Sequence, residues 1–184
     1  AGKKYNCSIM ELLGGNRNKL VAYASTMGGD REKNGLSSPE AYADFAEECI
    51  EMGYKAYKMH GWKEGNVEEE KEMLKTVGNR VAGKIKIMYD SACHLSTLAD
   101  ALEIGRICDE YGFYWYEDPY KDGGVSIHGN KTLSQNLSTP ILIGEHIRNF
   151  ETSVDLILNG ASFFSRADPD YDGGITGSHK LVIA

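Results

Sequence analysis

Residues 84–119 read KIKIMYDSACHLSTLADALEIGRICDEYGFYWYEDP, and this stretch decides the fold. Residues 84–90 are mostly apolar and end at an acid, which predicts a strand. Residues 96–111 carry apolar side chains at helical spacing and are followed by Gly112, which predicts a helix and its end. Residues 113–117 are aromatic and predict a second strand. Strand, helix and strand in this order predict two parallel strands joined by a right-handed crossover.

The same unit repeats on both sides of this stretch. Ser38 followed by Pro39 has the form of a helix N-cap and first helical residue, and Asn66 with Glu69 three residues later has the form of a capping box. The alternation of strands and helices predicts an α/β fold with a parallel sheet. Six strands are predicted, at residues 20–24, 55–61, 84–90, 113–117, 141–145 and 162–168.

Composition narrows the class of protein. The 184 residues suffice for about one domain, and 41% hydrophobic with 26% charged residues is ordinary globular composition. Acids outnumber bases 27 to 20, which argues against a nucleic-acid-binding or anionic-membrane-binding surface. We expect no spanning helix, because no apolar run reaches about 18 residues, and no secretory leader, because no basic-then-apolar segment opens the chain.

The cysteines indicate a reducing compartment. The four cysteines form no Cys-x-x-Cys pair, and their spacing matches no zinc pattern. A chain of this length does not need disulfides to fold. We therefore expect reduced thiols and a cytoplasmic protein.

Acidic residues close four consecutive predicted strands. These acids are Asp90, Glu117, Glu145 and Asp168, about one strand–helix unit apart. The carboxyl ends of parallel strands share one edge, where ligands bind. A single acid there is as well explained as a helix cap, but several carboxylates close together repel one another unless a cation joins them. Oxygen ligands alone favour a hard ion, with Mg²⁺ the first choice.

The second predicted strand adds two basic side chains. Lys58 and His60 are two residues apart and therefore share one face of the strand, while Tyr57 and Met59 suit packing against helices. Beside a carboxylate–metal cluster, Lys58 and His60 form a plausible acid/base pair. The alternative is that Lys58 only forms a salt bridge to the acids and His60 only bonds a backbone carbonyl.

Five short motifs occur in a fixed order along the chain. They are Tyr57-Lys58-Met59-His60, Met88-Tyr89-Asp90, Tyr116-Glu117-Asp118-Pro119, Gly144-Glu145-His146, and Asp168 followed by Gly173-Gly174-Ile175-Thr176-Gly177. Together they resemble the enolase superfamily, in particular its mandelate racemase and muconate lactonizing enzyme branch. The resemblance implies a modified (β/α) TIM-like barrel in which Asp90, Glu117 and Glu145 bind Mg²⁺. It also implies acid/base groups in the second strand and, on the opposite side of the substrate, an Asp–His pair containing Asp168.

The chain also departs from the family pattern. His60 stands where the branch usually has a second Lys, and Ala92 stands where Asn is frequent. Residues 1–19 are expected to lead from a capping domain that the chain lacks. Residues 20–184 are expected to form a barrel domain of about six of eight units, incomplete at the C-terminus, with the His partner of Asp168 beyond it.

The resemblance implies a reaction class. It is Mg²⁺-dependent abstraction of the proton α to a carboxylate, with an enediolate intermediate. An acid-sugar dehydratase is the first expectation. A racemase, epimerase or cycloisomerase is the alternative, and a noncatalytic or defective metal-binding member is the rival. Whether Lys58 or His60 is the base stays open. The expected partners are a small-molecule carboxylate substrate and, as a homo-oligomer, further copies of the chain.

Overall fold

Five parallel strands form one sheet in the computed structural model, which describes residues 1–184. The strands lie side by side in chain order, the order of a β/α barrel wall, whereas a doubly wound sheet reverses its order. The strands are β1 (Ala24–Ser25), β2 (Ala56–His60), β3 (Lys86–Asp90), β4 (Trp115–Glu117) and β5 (Ile141–Leu142), and the helices are α1 (Gly2–Tyr5), α2 (Ile9–Leu12), α3 (Pro39–Glu51), α4 (Val67–Val81), α5 (Leu98–Tyr111), α6 (Ile127–Asn136), α7 (Phe150–Leu158) and α8 (Ile175–Ile183).

The helix boundaries follow local capping chemistry. Ser38 Oγ accepts a hydrogen bond from Ala41 N at 3.2 Å and starts α3, as predicted. Asn66 starts α4, and its side chain accepts from the backbone as a cap should. The capping box is only half formed, because Glu69 Oε2 accepts from Arg31 Nη2 at 2.6 Å instead of from the Asn66 backbone. Gly112 ends α5 in the left-handed conformation that its sequence position predicted.

One face of the sheet is covered by helices. Helix α3 packs against α4, α4 against α5, and α5 against α6. The core lies between these helices and the sheet, and the rings of Tyr89 and Tyr116 stack in it with centroids 5.8 Å apart. Alternate strand residues point into this core, as period-two alternation requires; they include Tyr57, Met59, Ile87, Tyr89, Tyr116 and Ile141.

The opposite face carries the polar residues. In the strand register His60 lies beside Asp90, and Asp90 lies beside Glu117, so these three side chains form one row across β2, β3 and β4. Lys58 lies one row deeper, beside Met88. Lys58 and His60 therefore share the face predicted for them, with Met59 in the hydrophobic core. This arrangement places the polar row at the carboxyl edge of the sheet.

Three of the predicted strands need correction. The first begins at Ala24, because residues 20–23 form no ladder, and the Leu20 and Val21 side chains there are exposed. The fifth ends at Leu142, before Gly144 with φ 132°, so Glu145 lies in the following loop. The sixth, at residues 162–168, is reduced to a single bridge between Leu142 and Phe164.

Side-chain hydrogen bonding explains the short pairing after β5. The Ser162 hydroxyl accepts from Ile143 N at 3.1 Å and lies within hydrogen-bonding distance of Ile141 O and Phe164 O. These bonds occupy backbone groups that a longer ladder would use. The segment that carries Arg166 and Asp168 is consequently a loop at the edge of the sheet.

Two expectations from composition have a structural counterpart. All four cysteines are free thiols. No helix of the structure combines the length and apolar character needed to cross a bilayer.

Candidate active site

Three carboxylates converge at the carboxyl edge of the sheet. Asp90 and Glu117 end β3 and β4, and Glu145 reaches them from the loop after β5. One oxygen of each lies within 4.8 Å of the others. Asp90 and Glu117 are almost fully buried, whereas the Glu145 side chain is 37% exposed. The structure thus brings together the three acids singled out in the sequence; their role as metal ligands stays a prediction.

Lys58 binds two of these acids from beneath. Its Nζ donates to Asp90 Oδ2 at 2.9 Å and to Glu117 Oε2 at 2.9 Å. Only 6% of the Lys58 side chain is exposed. The ammonium group therefore compensates the negative charge of both carboxylates inside the protein.

His60 is held between a carboxylate and a backbone carbonyl. Its Nε2 lies 2.9 Å from Asp90 Oδ2, and its Nδ1 contacts Thr26 O. A carbonyl oxygen only accepts hydrogen bonds, so Nδ1 carries a proton. Nε2 faces an ionised carboxylate, so in this arrangement it carries a proton as well.

The pKa values of the cluster reflect its paired charges. Burial raises the pKa of Asp90, but the hydrogen bond from His60 and the charge of Lys58 outweigh burial and lower it. Burial lowers the pKa values of His60 and Lys58, but hydrogen bonds and negative charges outweigh burial and raise both. Burial, followed by the charge of Asp90, raises the pKa of Glu117. The acids thus favour the charged forms of both basic side chains.

Arg166 completes the cluster and was missed in the sequence. Its Nη1 donates to Glu117 Oε1 and to Glu145 Oε2. The sequence offered one signal for Arg166, which is that it lies two residues before Asp168 and therefore near the same edge of the sheet. Trp115 was missed as well, and its Nε1 donates to Glu117 Oε2 at 3.0 Å.

Asp168 is not joined to the cluster. Its Oδ1 accepts from Asp170 N at 2.9 Å, and its own backbone N–H donates to Asp172 Oδ2 at 2.8 Å. These are local bonds that shape the turn before α8. The proposed role of Asp168 in an Asp–His pair stays a prediction.

The residues present fit a hard divalent cation. Three carboxylate oxygens from three adjacent sheet segments, with neither sulfur nor nitrogen among them, suit Mg²⁺. The Glu145 side chain is partly exposed and can adjust its position. The Arg166 guanidinium, which now holds Glu117 and Glu145, has to withdraw from the oxygens that such an ion would use.

A cleft of about 310 Å³ opens over this cluster. Its lining includes His60, Asp90 and Glu145, but not Lys58. A larger cleft of about 580 Å³ lies between Leu95 and Thr132 and contains none of the clustered acids. The smaller cleft is therefore where a substrate can meet the carboxylates.

Asp118 is a buried acid next to the cluster that forms no ion pair. The residue is 2% exposed, and its Oδ1 has no hydrogen-bond partner. Burial, followed by the charges of Asp90 and Glu117, raises its pKa to about 8. Asp118 belongs to a motif quoted from the sequence, but nothing in the sequence assigned it a role.

The comparisons with known proteins agree on one family. The family model described as Enolase C-terminal domain-like matches residues 41–183. The chain is 30% identical over 181 residues to arabinonate dehydratase of Saccharolobus solfataricus, covering 98% of this chain and 46% of that protein. It is 28% identical over 117 residues to L-talarate/galactarate dehydratase of Salmonella typhimurium, covering 64% of this chain and 29% of that protein.

A solved structure has the same fold. The crystal structure of D-glucarate dehydratase from Agrobacterium tumefaciens complexed with magnesium superposes with a TM-score of 0.86 at 32% identity, covering 94% of this chain and 46% of that one. The chain thus spans about half the length, or less, of the relatives it matches. The resemblance stated from the sequence motifs is confirmed.

Proposed function

This chain belongs to the enolase C-terminal domain-like family, and we propose that it forms the metal and base half of a magnesium-dependent acid-sugar dehydratase. The observation that carries the proposal is the row of His60, Asp90 and Glu117, completed by Glu145, at the carboxyl edge of the sheet, with His60, Asp90 and Glu145 lining one cleft. Similarity to arabinonate dehydratase and D-glucarate dehydratase supports the choice of acid sugars as the substrate class.

Asp90, Glu117 and Glu145 would hold the magnesium ion. When bound, Mg²⁺ would supply the positive charge that offsets the negative charge building on the substrate carboxylate as the α-proton leaves. Buried Asp90 and Glu117 would provide two fixed ligands, and the partly exposed Glu145 would exchange its hydrogen bond from Arg166 for the ion.

His60 is the better placed base. It lines the cleft, whereas Lys58 lies beneath the acids and does not reach it. The contact of Nδ1 with Thr26 O fixes the proton there and leaves Nε2 as the atom that exchanges a proton. Asp90 now holds the imidazole protonated, and a cation at the three carboxylates would weaken that hold and let Nε2 act as the base.

The same nitrogen can complete the elimination. Nε2 takes the α-proton, the C–O bond to the neighbouring hydroxyl breaks, and the hydroxyl leaves as water with the proton that Nε2 returns. The enol product then tautomerises to a 2-keto acid. One group serving both proton transfers requires the proton and the hydroxyl on the same side of the substrate. Lys58 stays charged and keeps the two buried carboxylates together.

The experiment that tests this function follows α-proton exchange in deuterated water. Arabinonate, galactarate and glucarate are incubated with Mg²⁺ and the whole protein that contains these residues. We expect exchange and 2-keto acid formation on at least one of them. His60→Asn should abolish both while binding Mg²⁺ normally, and His94→Asn, a histidine that lines the same cleft, is the matched control.

The outcomes separate the alternatives. Exchange without 2-keto acid would replace the dehydratase with a racemase or epimerase. Exchange that survives His60→Asn would assign the base to another residue. Magnesium binding without exchange on any substrate of the class would favour the noncatalytic alternative.

A further inference from the structure

A second cluster of ligand-type side chains lies beside the three acids. The Cys93 thiol, the Asp118 carboxylate and the His146 imidazole each offer one atom within 4.8 Å of the other two. Asp118 directly follows Glu117 in the chain, and His146 directly follows Glu145. Successive residues at the sheet edge thus supply two neighbouring clusters, one made of oxygens alone and one of sulfur, oxygen and nitrogen.

The backbone around this second cluster adopts conformations that ordinary residues avoid. Cys93 has φ 60° and Asp118 has φ 39°, both in the left-handed region although neither is glycine. A backbone bond from Cys93 N to Asp118 O, 2.8 Å long, joins the two turns. Such conformations cost free energy and persist only where surrounding structure imposes them. Here they bring the Cys93 and Asp118 side chains together.

Asp118 provides an independent reason to expect a cation. Its residue is 2% exposed, and its Oδ1 is buried with no hydrogen-bond partner. Asp90, Glu117 and Glu145 are each bound by Lys58 or Arg166, whereas no basic side chain lies within 4.0 Å of Asp118. A buried carboxyl group without a partner is costly whether or not it carries a proton, and a bound cation would hold it as the carboxylate and remove that cost.

We propose that Cys93, Asp118 and His146 form a second metal site, specific for a thiophilic divalent cation such as Zn²⁺. Thiolate, imidazole and carboxylate are the ligands that Zn²⁺ takes in proteins, whereas Mg²⁺ prefers oxygen. Tetrahedral Zn²⁺ with one sulfur, one nitrogen and one oxygen ligand needs these atoms about 3.3–3.6 Å apart. The present separations are at most 4.8 Å, and the partly exposed Cys93 and exposed His146 can shift by the difference.

Three protein ligands leave one tetrahedral position free. Asp118 and His146 line the cleft together with Asp90 and Glu145, so an ion held there would lie beside the space where substrate is expected. Water or a substrate oxygen can take that position. The site does not depend on the reaction proposed above, because none of its three ligands belongs to the oxygen cluster.

Cobalt substitution tests the site without any measurement of turnover. The protein is titrated with Co²⁺ in excess Mg²⁺, and thiolate-to-cobalt charge-transfer absorption is followed. Zn²⁺ affinity is measured by competition with a chromophoric chelator. We expect one equivalent of Co²⁺ to produce the band and Zn²⁺ to remove it. Cys93→Ser should abolish the band and weaken Zn²⁺ binding at least tenfold, and His146→Asn should weaken it similarly.

Matched variants make the result decisive. Cys7→Ser and His179→Asn alter a free thiol and an exposed imidazole elsewhere, and both should leave the band and the affinity unchanged. Glu145→Gln should weaken Mg²⁺ binding and leave the cobalt band in place, which distinguishes this site from the oxygen cluster. Absence of the band in the unaltered protein, or a band that survives Cys93→Ser, overturns the proposal. Because His146 is exposed, folding does not confound His146→Asn, and unchanged Zn²⁺ affinity there overturns it as well.

Discussion

Lys58 and Glu117 form an ion pair that is almost completely removed from water. The Nζ to Oε2 distance is 2.9 Å, and the exposed fractions of the two side chains are 6% and 1%. Taking both charges out of water is costly, and the pair is tolerated because Lys58 also binds Asp90 at 2.9 Å. Breaking such a pair from one side leaves an uncompensated buried charge. Lys58 is therefore expected to matter for folding as well as for chemistry.

Lys58→Met should destabilise the protein strongly when no divalent cation is present. We expect the free energy of unfolding at neutral pH to fall by about 3–5 kcal/mol in the presence of a chelator, because Asp90 and Glu117 lose their common partner. Saturating Mg²⁺ should recover part of the loss by restoring positive charge. Urea unfolding with and without Mg²⁺ measures both effects. Lys71→Met, which breaks a pair with exposed Glu68, should cost less than about 1 kcal/mol.

Glu145→Gln should weaken magnesium binding without unfolding the protein. The Glu145 side chain is 37% exposed, so its replacement leaves no buried charge unpaired. Loss of one of three carboxylate ligands should reduce Mg²⁺ affinity at least about tenfold, as measured by titration calorimetry. Glu72→Gln, at an exposed position of α4, is the matched control. Equal Mg²⁺ affinity in the two variants would remove Glu145 from the metal site.

Arg166→Gln should strengthen magnesium binding. The guanidinium donates to Glu117 and Glu145, two of the oxygens that the ion would use, and its positive charge repels a dication. We expect roughly a tenfold gain in Mg²⁺ affinity, with a smaller gain at high ionic strength because salt screens the repulsion. Arg106→Gln, an exposed residue of α5, should change nothing. A loss of affinity in Arg166→Gln would mean that Arg166 orients the carboxylates rather than competing for them.

The sequence was sufficient to predict the parts of the site that strand periodicity and strand order determine. Lys58 and His60 share a face because they are two residues apart, and Asp90 and Glu117 meet because consecutive parallel strands present their carboxyl ends together. The alternation of strands and helices predicted the parallel α/β sheet itself. All of these signals are local patterns, so they need no knowledge of side-chain contacts.

The sequence was insufficient where a side chain crosses to another segment. Arg166 reaches the acids from a loop whose strand pairing is limited by Ser162, and no local pattern reports that contact. Glu145 lies beyond β5 because Gly144 ends the ladder, although the acid still reaches the cluster. The orphaned carboxylate of Asp118 is visible only once burial and partners are known.

Glu70 is a buried carboxyl on the helix side of the sheet, away from the clustered acids. It is 1% exposed, accepts a hydrogen bond from Trp62 N at 2.8 Å, and accepts another from Tyr89 Oη at 2.9 Å. The carboxyl packs against Gly61, where an added Cβ would lie 1.8 Å from Glu70 Oε2. Glu70 thus ties α4 to the segment that follows His60.

Glu70 should make folding stability depend on pH between about 4.5 and 7. Burial raises its pKa from 4.5 to about 7 in the folded protein, despite the two hydrogen bonds. Across that window the folded protein keeps a proton that the unfolded chain has released, so stability falls as pH rises and levels off above pH 7. The total loss from this group is about 3 kcal/mol.

Glu70→Gln isolates this effect from all other titrating groups. The amide mimics the protonated carboxyl, since its oxygen can accept from Trp62 N and its NH₂ can donate to Tyr89 Oη. The variant should match the unaltered protein near pH 4.5 and exceed its free energy of unfolding by about 2–3 kcal/mol at pH 8. Urea unfolding at a series of pH values measures the difference, and Glu72→Gln should show none. A difference that does not change with pH would mean that Glu70 ionises at an ordinary pKa in the folded protein.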